Sequence, residues 1–253
     1  MSGEFYVGTS GWNYAAWAGG FYAGVPRSRW LAHYARRFNA VEINASFYRE
    51  VRAETYRRWI AQTPAGFRFA VKAHRYLTHV KRLDFDEASL ARQREGAAAL
   101  GERLAAVLWQ LPRSLRRDDS RLEGFLARLA LWPHARHAVE FRHRSWFVPE
   151  VAERLAERGV AICQSDAADW PLWDAVSGDL VYLRLHGHRV TYRSRYGAAE
   201  IAAWAAKAAR WWREGRAILA FFDNTDAGGA PADAAALVAA LARRLRGARA
   251  GCN

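Results

Sequence analysis

The sequence predicts an α/β protein, a single-domain (β/α)₈ barrel, on three observations. Eight short apolar segments alternate with segments whose apolar residues recur at helical spacing. The chain of 253 residues matches the usual size of such a barrel. No Pro- or Ser-rich linker interrupts it, which favours one domain over residues 1–253. An open, doubly wound sheet is the alternative, and the lack of a Gly-x-Gly-x-x-Gly motif after the first strand weakens it.

Each predicted strand is a short apolar run bounded by a turn-forming or polar residue. The first runs towards Gly11, and Pro112 ends the fourth. The predicted strands cover residues 5–9, 40–44, 67–72, 106–110, 137–142, 160–166, 180–186 and 217–223. Because helical segments separate most of them, we expect parallel pairing within one sheet.

The predicted helices have apolar residues at helical spacing and recognisable ends. Ser28 can cap the first, and Pro64 with Gly66 stops the second. The predicted helices cover residues 29–38, 53–62, 86–104, 119–131, 149–158, 198–213 and 232–246. Residues 45–48 and 73–85 are expected to be loops, and residues 170–177 an irregular link.

The composition limits the class of protein. A net charge of +13 and a pI near 10.4 ordinarily indicate a polyanionic partner such as nucleic acid. Most of the basic residues are arginines spread over predicted helix surfaces, so part of that charge is compositional. No apolar run approaches the roughly 18 residues of a membrane span, and the N-terminus does not resemble a signal peptide. We therefore expect a cytoplasmic protein without a membrane partner, a disulfide or a structural zinc site.

Polar side chains recur on one face of most predicted strands, near the carboxyl end. Glu140 and Arg142 lie two residues apart in the fifth strand and so share a face. One such pair alone is more often a structural ion pair than a functional site. The pattern returns, however, at Glu42 and Asn44, Lys72 and His74, Gln110, Asp166, Arg184 and His186, and Asp223 and Asn224. Since the face of a barrel strand that packs on helices must be apolar, we expect these side chains to gather at one mouth, at the carboxyl ends of the strands.

This mouth is expected to hold both catalytic and substrate-binding groups. The catalytic candidates are Glu42, Glu140, Asp166 and His186, with a carboxylate as general base and a histidine as its acid partner. The substrate-binding candidates are Trp12, Asn44, Tyr48, Lys72, His74, Gln110, Arg142, Arg184 and Asn224. Lysine and arginine bind phosphate or carboxylate well, and the aromatic loop residues either contact the substrate or anchor the loops.

Other roles are open for some of these residues, and no cofactor is indicated. His186, His188 and the nearby carboxylates could hold a divalent metal, but the cations in the same mouth oppose it, so no metal ligand is assigned. Lys72 could form a Schiff base, although binding an anion or pairing with a glutamate is favoured. Cys163 is expected to pack in the core, on the strand face opposite Gln164.

Several motifs together resemble the DUF72 family of uncharacterised YecE-like proteins. They are Gly8-Thr9-Ser10-Gly11-Trp12, Val41-Glu42-Ile43-Asn44-Ala45-Ser46-Phe47-Tyr48, Phe69-Ala70-Val71-Lys72, Leu108-Trp109-Gln110-Leu111-Pro112, Glu140-Phe141-Arg142-His143-Arg144-Ser145-Trp146, Arg184-Leu185-His186-Gly187 and Phe222-Asp223-Asn224. The resemblance covers nearly the whole chain and implies a TIM-type β/α barrel, but no established reaction. Val51 and Asp233 depart from the family pattern, where proline and asparagine are expected.

These observations leave three functional hypotheses. The first is an enzyme, a hydrolase or lyase, that acts on an anionic, phosphate-bearing substrate in the mouth. The second is a nucleic-acid-binding or phosphodiester-processing barrel, in one form metal-dependent, motivated by the +13 charge. The third is a binding protein without turnover, whose mouth is filled by its own ion pairs. The sequence indicates neither the substrate nor the oligomeric state.

Overall fold

Eight parallel strands form one sheet in the computed structural model of the protein, which describes the backbone of residues 4–250 and the side chains of residues 4–246. The strands are β1 (Phe5–Thr9), β2 (Ala40–Ile43), β3 (Arg68–Lys72), β4 (Leu104–Gln110), β5 (His137–Glu140), β6 (Val160–Asp166), β7 (Leu180–Leu185) and β8 (Ala217–Phe222). Their order in the sheet is β1-β8-β7-β6-β5-β4-β3-β2. A parallel bridge between Ser10 and Glu42 joins the two ends of that order. The sheet is thereby nearly closed, and the predicted β/α barrel is confirmed.

Helices follow most of the strands and cover the outside of the sheet. They are α1 (Trp30–Tyr34), α2 (Ala45–Tyr48), α3 (Ala53–Ala61), α4 (Glu87–Ala98), α5 (Asp119–Leu129), α6 (Pro149–Glu157), α7 (Ala198–Arg213) and α8 (Ala230–Ala250). Asp86 and Asp118 cap α4 and α5 by accepting a backbone N–H three residues on. The link from β6 to β7, residues 167–179, contains no helix. Within the described part of the chain, no helix combines the length and apolarity needed to cross a bilayer.

Some predicted element bounds were wrong. The helix predicted over residues 86–104 ends at Ala98, because Leu104 already pairs with Phe69 in the sheet. The helix predicted over residues 29–38 is the short α1, after which bonds of the i to i+3 type tighten the chain. Residues 45–48 form the single turn α2, and residues 76–80 a π-helical turn, where loops were predicted. These short turns follow β2 and β3, and they place Phe47 and His79 next to Lys72 at the carboxyl end of β3.

The apolar core has two parts, one on each side of the sheet. The larger lies between strands and helices and contains large side chains such as Trp109, Phe125 and Trp146. The smaller fills the barrel interior and is rich in alanine, with Cys163, Tyr182 and Phe221 among its larger members. Cys163 is buried in the core as predicted, although on the interior side. The small side chains allow the strands to close around a narrow interior, which places the polar residues above them at close range.

The seam between β1 and β2 is joined mainly by side chains. The Tyr34 hydroxyl accepts a bond from the Thr9 N–H at 2.7 Å and donates one to the Ala40 carbonyl at 3.1 Å. Asn39 bridges the same strands lower down, since its amide group bonds the Val7 N–H at 2.8 Å and the Phe5 carbonyl at 3.0 Å. These side chains satisfy backbone groups that a regular ladder would otherwise pair.

Gly8 is required at this seam for steric reasons. A Cβ atom added there would lie 1.9 Å from the Ala40 carbonyl oxygen and 2.7 Å from the Tyr34 hydroxyl. Any side chain would therefore push β2 and α1 away from β1.

We predict that Tyr34→Phe lowers the free energy of unfolding by about 1–3 kcal/mol, because the buried Thr9 N–H loses its acceptor. Tyr48→Phe is the matched control, since its side chain is 70% exposed, and it should change stability by less than about 0.5 kcal/mol. Urea unfolding followed by tryptophan fluorescence measures both. Equal stability of the two variants would contradict this role of the Tyr34 hydroxyl.

Candidate active site

Arg184 lies at the centre of the barrel mouth and is completely buried. Its Nε and Nη2 atoms bond the Glu42 carboxylate at 2.7–3.1 Å. Nη2 also contacts Asp223 Oδ2 at 2.9 Å and Ser10 Oγ at 3.1 Å, while Nη1 donates to Glu140 Oε2 at 2.8 Å. A single guanidinium thus holds three carboxylates that come from β2, β5 and the end of β8.

Two hydroxyl groups complete the surroundings of Glu42. Tyr182 donates a hydrogen bond to Glu42 Oε2 at 2.7 Å, and Ser10 donates to Oε1. Burial and the adjacent Glu42 charge raise the pKa of Tyr182, so this phenol remains a neutral donor. We refer to Ser10, Glu42, Glu140, Tyr182, Arg184, His186 and Asp223 as the central cluster.

Glu140 is held as a carboxylate by its neighbours. It accepts bonds from Arg142 Nε at 2.6 Å and from Ser165 Oγ at 3.1 Å, in addition to Arg184. Burial alone raises the pKa of Glu140, but the charges of Arg142 and Arg184 outweigh burial and hold that pKa well below its ordinary value. A carboxylate of this kind is a weak base near neutral pH.

His186 is a neutral imidazole with both ring nitrogens near charged partners. Arg184 Nη1 lies 3.3 Å from His186 Nε2, and since a guanidinium can only donate, Nε2 is the acceptor. The ring proton therefore belongs on Nδ1, which lies 3.0 Å from Asp223 Oδ2, although the two are not aligned as a hydrogen bond. Burial and the Arg184 charge lower the pKa of His186 despite the nearby Asp223.

Lys72 is the cation of the mouth that lacks a carboxylate partner. In the described residues, no Asp or Glu oxygen lies within 4 Å of Lys72 Nζ, which sits 4.1 Å from the centre of the Phe47 ring. The residue is only 9% exposed. Burial and the Arg184 charge lower the pKa of Lys72 to about 8, although Glu140 and Glu42 raise it. Lys72 can therefore gain or lose a proton near neutral pH.

The rim of the mouth next to Lys72 is electropositive. Burial, Lys72 and Arg142 lower the pKa of His79 to about 4, so this ring is neutral. The Arg142 guanidinium lies 3.7 Å from the centre of the Trp170 ring, and Arg113 approaches the same ring at 5.0 Å. Trp170 in turn donates to Ser165 Oγ at 2.8 Å. Cations therefore collect above β3 to β5, while the carboxylates lie deeper, around Arg184.

Asp166 and Asn224, two of the predicted site residues, face away from the mouth. On β6 the interior positions are those of Ala161, Cys163 and Ser165, so Asp166 faces outwards and accepts a bond from the Tyr196 hydroxyl at 3.0 Å. The structure therefore does not place Asp166 in the mouth as expected, because a shift of one residue along a strand reverses the face, and the neighbouring Ser165 is the one that points inwards.

The Asn224 side chain likewise points away from the mouth. It donates to the Ser194 carbonyl at 3.0 Å and to Asp233 Oδ2 at 2.7 Å, while Asp223 faces inwards. Asp233, one of the departures from the family pattern, is buried and also accepts a bond from Arg195 Nε at 2.7 Å. Asn224 and Asp233 thus hold the loop before α7 and do not contact Arg184.

The remaining predicted residues lie around the mouth. Gln110 donates to its neighbour's carbonyl and lies 3.5 Å from His79. The His74 ring accepts the Tyr76 N–H at 3.1 Å, which stabilises the turn. Trp12, Asn44 and Tyr48 line a separate space of about 570 Å³ that we call the side cleft. In the described part of the chain, no three His, Cys, Asp or Glu side chains are arranged to hold a metal ion.

The sequence pattern did not indicate the hydroxyl groups of this site. Ser10, Ser165 and Tyr182 all face the interior and bond Glu42 or Glu140. The available signal was strand alternation, because Tyr182 lies two residues before Arg184 in β7. Serine and tyrosine are common in strands, so this signal is weak without knowledge of the facing residues. Trp170, in the irregular link, had no local signal.

The sequence of the chain matches a known protein family over nearly its whole length. Residues 6–251 match the family described as protein of unknown function DUF72. The chain belongs to the DUF72 family. The motifs that resembled this family include Ser10, Glu42, Lys72, Glu140, Arg184, His186 and Asp223 of the mouth.

DUF72 relatives resemble the chain in both sequence and structure. The UPF0759 protein YunF of Bacillus subtilis is 26% identical over 235 residues, which cover 79% of this chain and 82% of that protein. The UPF0759 protein YecE of Escherichia coli K12 is 28% identical over 156 residues, covering 61% of this chain and 54% of YecE. A crystal structure of a DUF72 protein from Thermotoga maritima superimposes with a TM-score of 0.84 at 26% identity, covering 94% of this chain and 99% of that one.

We predict that Arg184→Met lowers the free energy of unfolding by about 3–5 kcal/mol, because three buried carboxylates lose their shared cation. Arg189→Met is the control: its guanidinium contacts Glu200 at 3.1 Å but is 71% exposed, so about 1 kcal/mol or less is expected. Urea unfolding measures both. Similar small losses would show that Arg184 does not hold the mouth together.

We also predict that Lys72 titrates near pH 8 in the folded protein. The chain has only three lysines, Lys72, Lys81 and Lys207, so NMR of the Nζ groups with Lys72→Arg as the assignment variant resolves it. Between about pH 8 and the ordinary value of 10.5, the unfolded chain binds the proton that the folded one has lost, so this contribution to stability rises with pH. A Lys72 titration above pH 10 would contradict the prediction.

Proposed function

We propose that this protein is an enzyme that acts on an anionic, phosphate-bearing substrate bound at the barrel mouth by Lys72 and Arg142. The observation that carries the proposal is the Lys72 ammonium, buried in the mouth without a carboxylate partner within 4 Å in the described residues. A buried lysine is costly unless its charge is used, and a substrate anion would use it.

The placement of the charges in the mouth, which balance in number, supports an anion as ligand at the rim. Glu42, Glu140 and Asp223 carry three negative charges, and Arg184, Arg142 and protonated Lys72 balance them. All three carboxylates contact Arg184, whereas Lys72 and Arg142 lie towards the electropositive rim. A phosphate at that rim would make charge-assisted hydrogen bonds with both cations, and arginine can bind it through two N–H groups.

The protonation states favour Lys72 as the group that exchanges a proton with the substrate. Glu140 is held ionised by Arg142 and Arg184, and both ring nitrogens of His186 face neighbours within the central cluster. Lys72, with a pKa of about 8, has the proton affinity that acid–base chemistry near neutral pH requires. In this proposal Glu42, Glu140 and Asp223 position Arg184 and set the electrostatic field. The DUF72 family description names no reaction, so the mouth itself carries the argument.

The test is turnover of a mixture of phosphorylated and carboxylated metabolites by the purified protein, followed by mass spectrometry. Lys72→Met should reduce turnover by about 100-fold or more, because positioned acid–base groups contribute about 10²–10⁴-fold. Lys207→Met is the control, since Lys207 lies on α7 and pairs with Asp174 outside the mouth. Inorganic phosphate should raise the Lys72 pKa in the NMR titration. Absence of turnover together with an unchanged Lys72 pKa would refute the proposal.

The saturated network around Arg184 favours a second candidate function, a binding protein without turnover. Every N–H group of Arg184 faces an acceptor from the protein itself, which suits a structural plug. In that case phosphate would still raise the Lys72 pKa, but no metabolite would be consumed.

A further inference from the structure

The side cleft opens next to the mouth and is lined by both aromatic and cationic side chains. Its volume of about 570 Å³ is that of a small-molecule site. The chemically informative residues of its lining are Trp12, Arg27, Tyr48, Arg49, Arg58 and Trp59. Neither the turnover proposal nor the central cluster uses them.

The aromatic side chains of the cleft present surfaces for a planar ring. Trp12 and Trp59 pack edge to face, with ring centres 5.0 Å apart, and so hold each other in place. Tyr48 is 70% exposed, although its ring is supported by Phe47 at 5.0 Å. An exposed but supported tyrosine beside tryptophans is the arrangement on which nucleic-acid bases stack.

The cations of the cleft have no acidic partners. Its lining contains no Asp or Glu, and within the described residues no carboxylate lies within 4 Å of the guanidinium nitrogens of Arg27, Arg49 or Arg58. Arg27 contacts only neutral groups, Asn13 at 3.1 Å and the Trp30 ring at 5.6 Å. Three guanidiniums around one cleft, with no carboxylate in its lining to neutralise them, favour an anionic ligand.

The cleft lies beside the mouth, because residues of its lining directly follow residues of the central cluster in sequence. Gly11 and Asn44 line its inner wall, and they follow Ser10 and Glu42 of the central cluster by one and two residues. The Gly11 N–H also bonds the Glu42 carbonyl at 2.7 Å. A ligand in the cleft would therefore lie beside the seam of β1 and β2, close to Ser10 and Glu42.

We infer that the side cleft binds a nucleoside phosphate unit, with its base on Tyr48 and Trp12 and its phosphate on Arg49 and Arg58. The unit belongs either to a free nucleotide or to a single-stranded nucleic acid. This inference deepens the proposed function, on which it rests for the chemistry in the mouth, by naming the class of substrate. The net charge of +13 suits such a ligand.

The experiment measures binding of two probes at about 50 mM salt, where phosphate contacts are strong. Adenosine 5′-monophosphate is titrated by calorimetry, and a fluorescein-labelled ten-nucleotide oligothymidylate by anisotropy. Tyr48→Ala and Arg58→Ala should each weaken binding about 10-fold, which is within the range for loss of one stacked base or one phosphate contact. Arg243→Ala, on the exposed side of α8, removes the same charge as Arg58→Ala and should change affinity less than two-fold.

The outcomes distinguish a free nucleotide from a nucleic-acid strand as the ligand of the cleft. They also separate this inference from the enzyme proposal. Tyr48-dependent binding of the mononucleotide alone identifies a free nucleotide, and Tyr48-dependent binding of the oligomer alone identifies a nucleic-acid strand. Lys72→Met should retain binding in the cleft, so a failure of Lys72 chemistry with intact Tyr48-dependent binding would sink only the enzyme proposal. Undetectable binding of both probes, or equal losses in Arg58→Ala and Arg243→Ala, would overturn the inference.

Discussion

The burial of the Arg184 guanidinium determines how the other charged residues of the barrel mouth are arranged. Removing Arg184 from water would cost several kcal/mol if its charge were not compensated, so β2, β5 and the end of β8 must deliver carboxylates to it. Those carboxylates would in turn be unstable together without Arg184, because three like charges would face one another in a poorly hydrated interior. The mutual requirement fixes the registers of these strands at the mouth. It also explains why Lys72, next to the cluster but outside its contacts, has its pKa lowered by burial and by Arg184.

Much of the fold follows from local patterns, because buried parallel strands are apolar runs and the covering helices repeat with a helical period. All eight strands could be placed in this way, and the interior alanines Ala40, Ala70 and Ala138 on β2, β3 and β5 are consistent with a narrow interior. The closure could not be predicted in the same way. It depends on contacts of the Tyr34 and Asn39 side chains with backbone groups of β1, which lie 25 to 34 residues earlier in the chain, and no periodicity encodes such contacts. The early end of α4 was missed because pairing of Leu104 with Phe69 prevails over the helical preference of the residues before it.

The site was predictable where charge and strand alternation agree. Glu42, Lys72, Glu140 and Arg184 are charged residues in otherwise apolar strands, and each faces the interior. The pattern fails where both neighbours are polar. On β6, Gln164, Ser165 and Asp166 are consecutive, so either face could be the inner one, and the small Ser165 is the residue that fits beside Glu140. After β8, Asp223 and Asn224 present the same ambiguity, and the charge of Arg184 selects the aspartate. In both places, contacts with charged groups of other strands select the residue that faces inwards, and the pattern of a single strand does not contain those contacts.

The seam between β1 and β2 has a consequence for how the chain is synthesised. Of the eight strands, β1 is synthesised before the others, yet its ladder partner is β8, the last of the eight, and in the described structure the only bridge from β1's end to β2 joins Ser10 and Glu42. The edge of β1 that pairs with β8 therefore remains unpaired until β8 has been synthesised. An unpaired edge is a site for wrong association, and contacts between distant parts of a chain form slowly. The bonds that Tyr34 and Asn39 make to β1 come from residues only a short distance along the chain, so they can shield this strand during that interval.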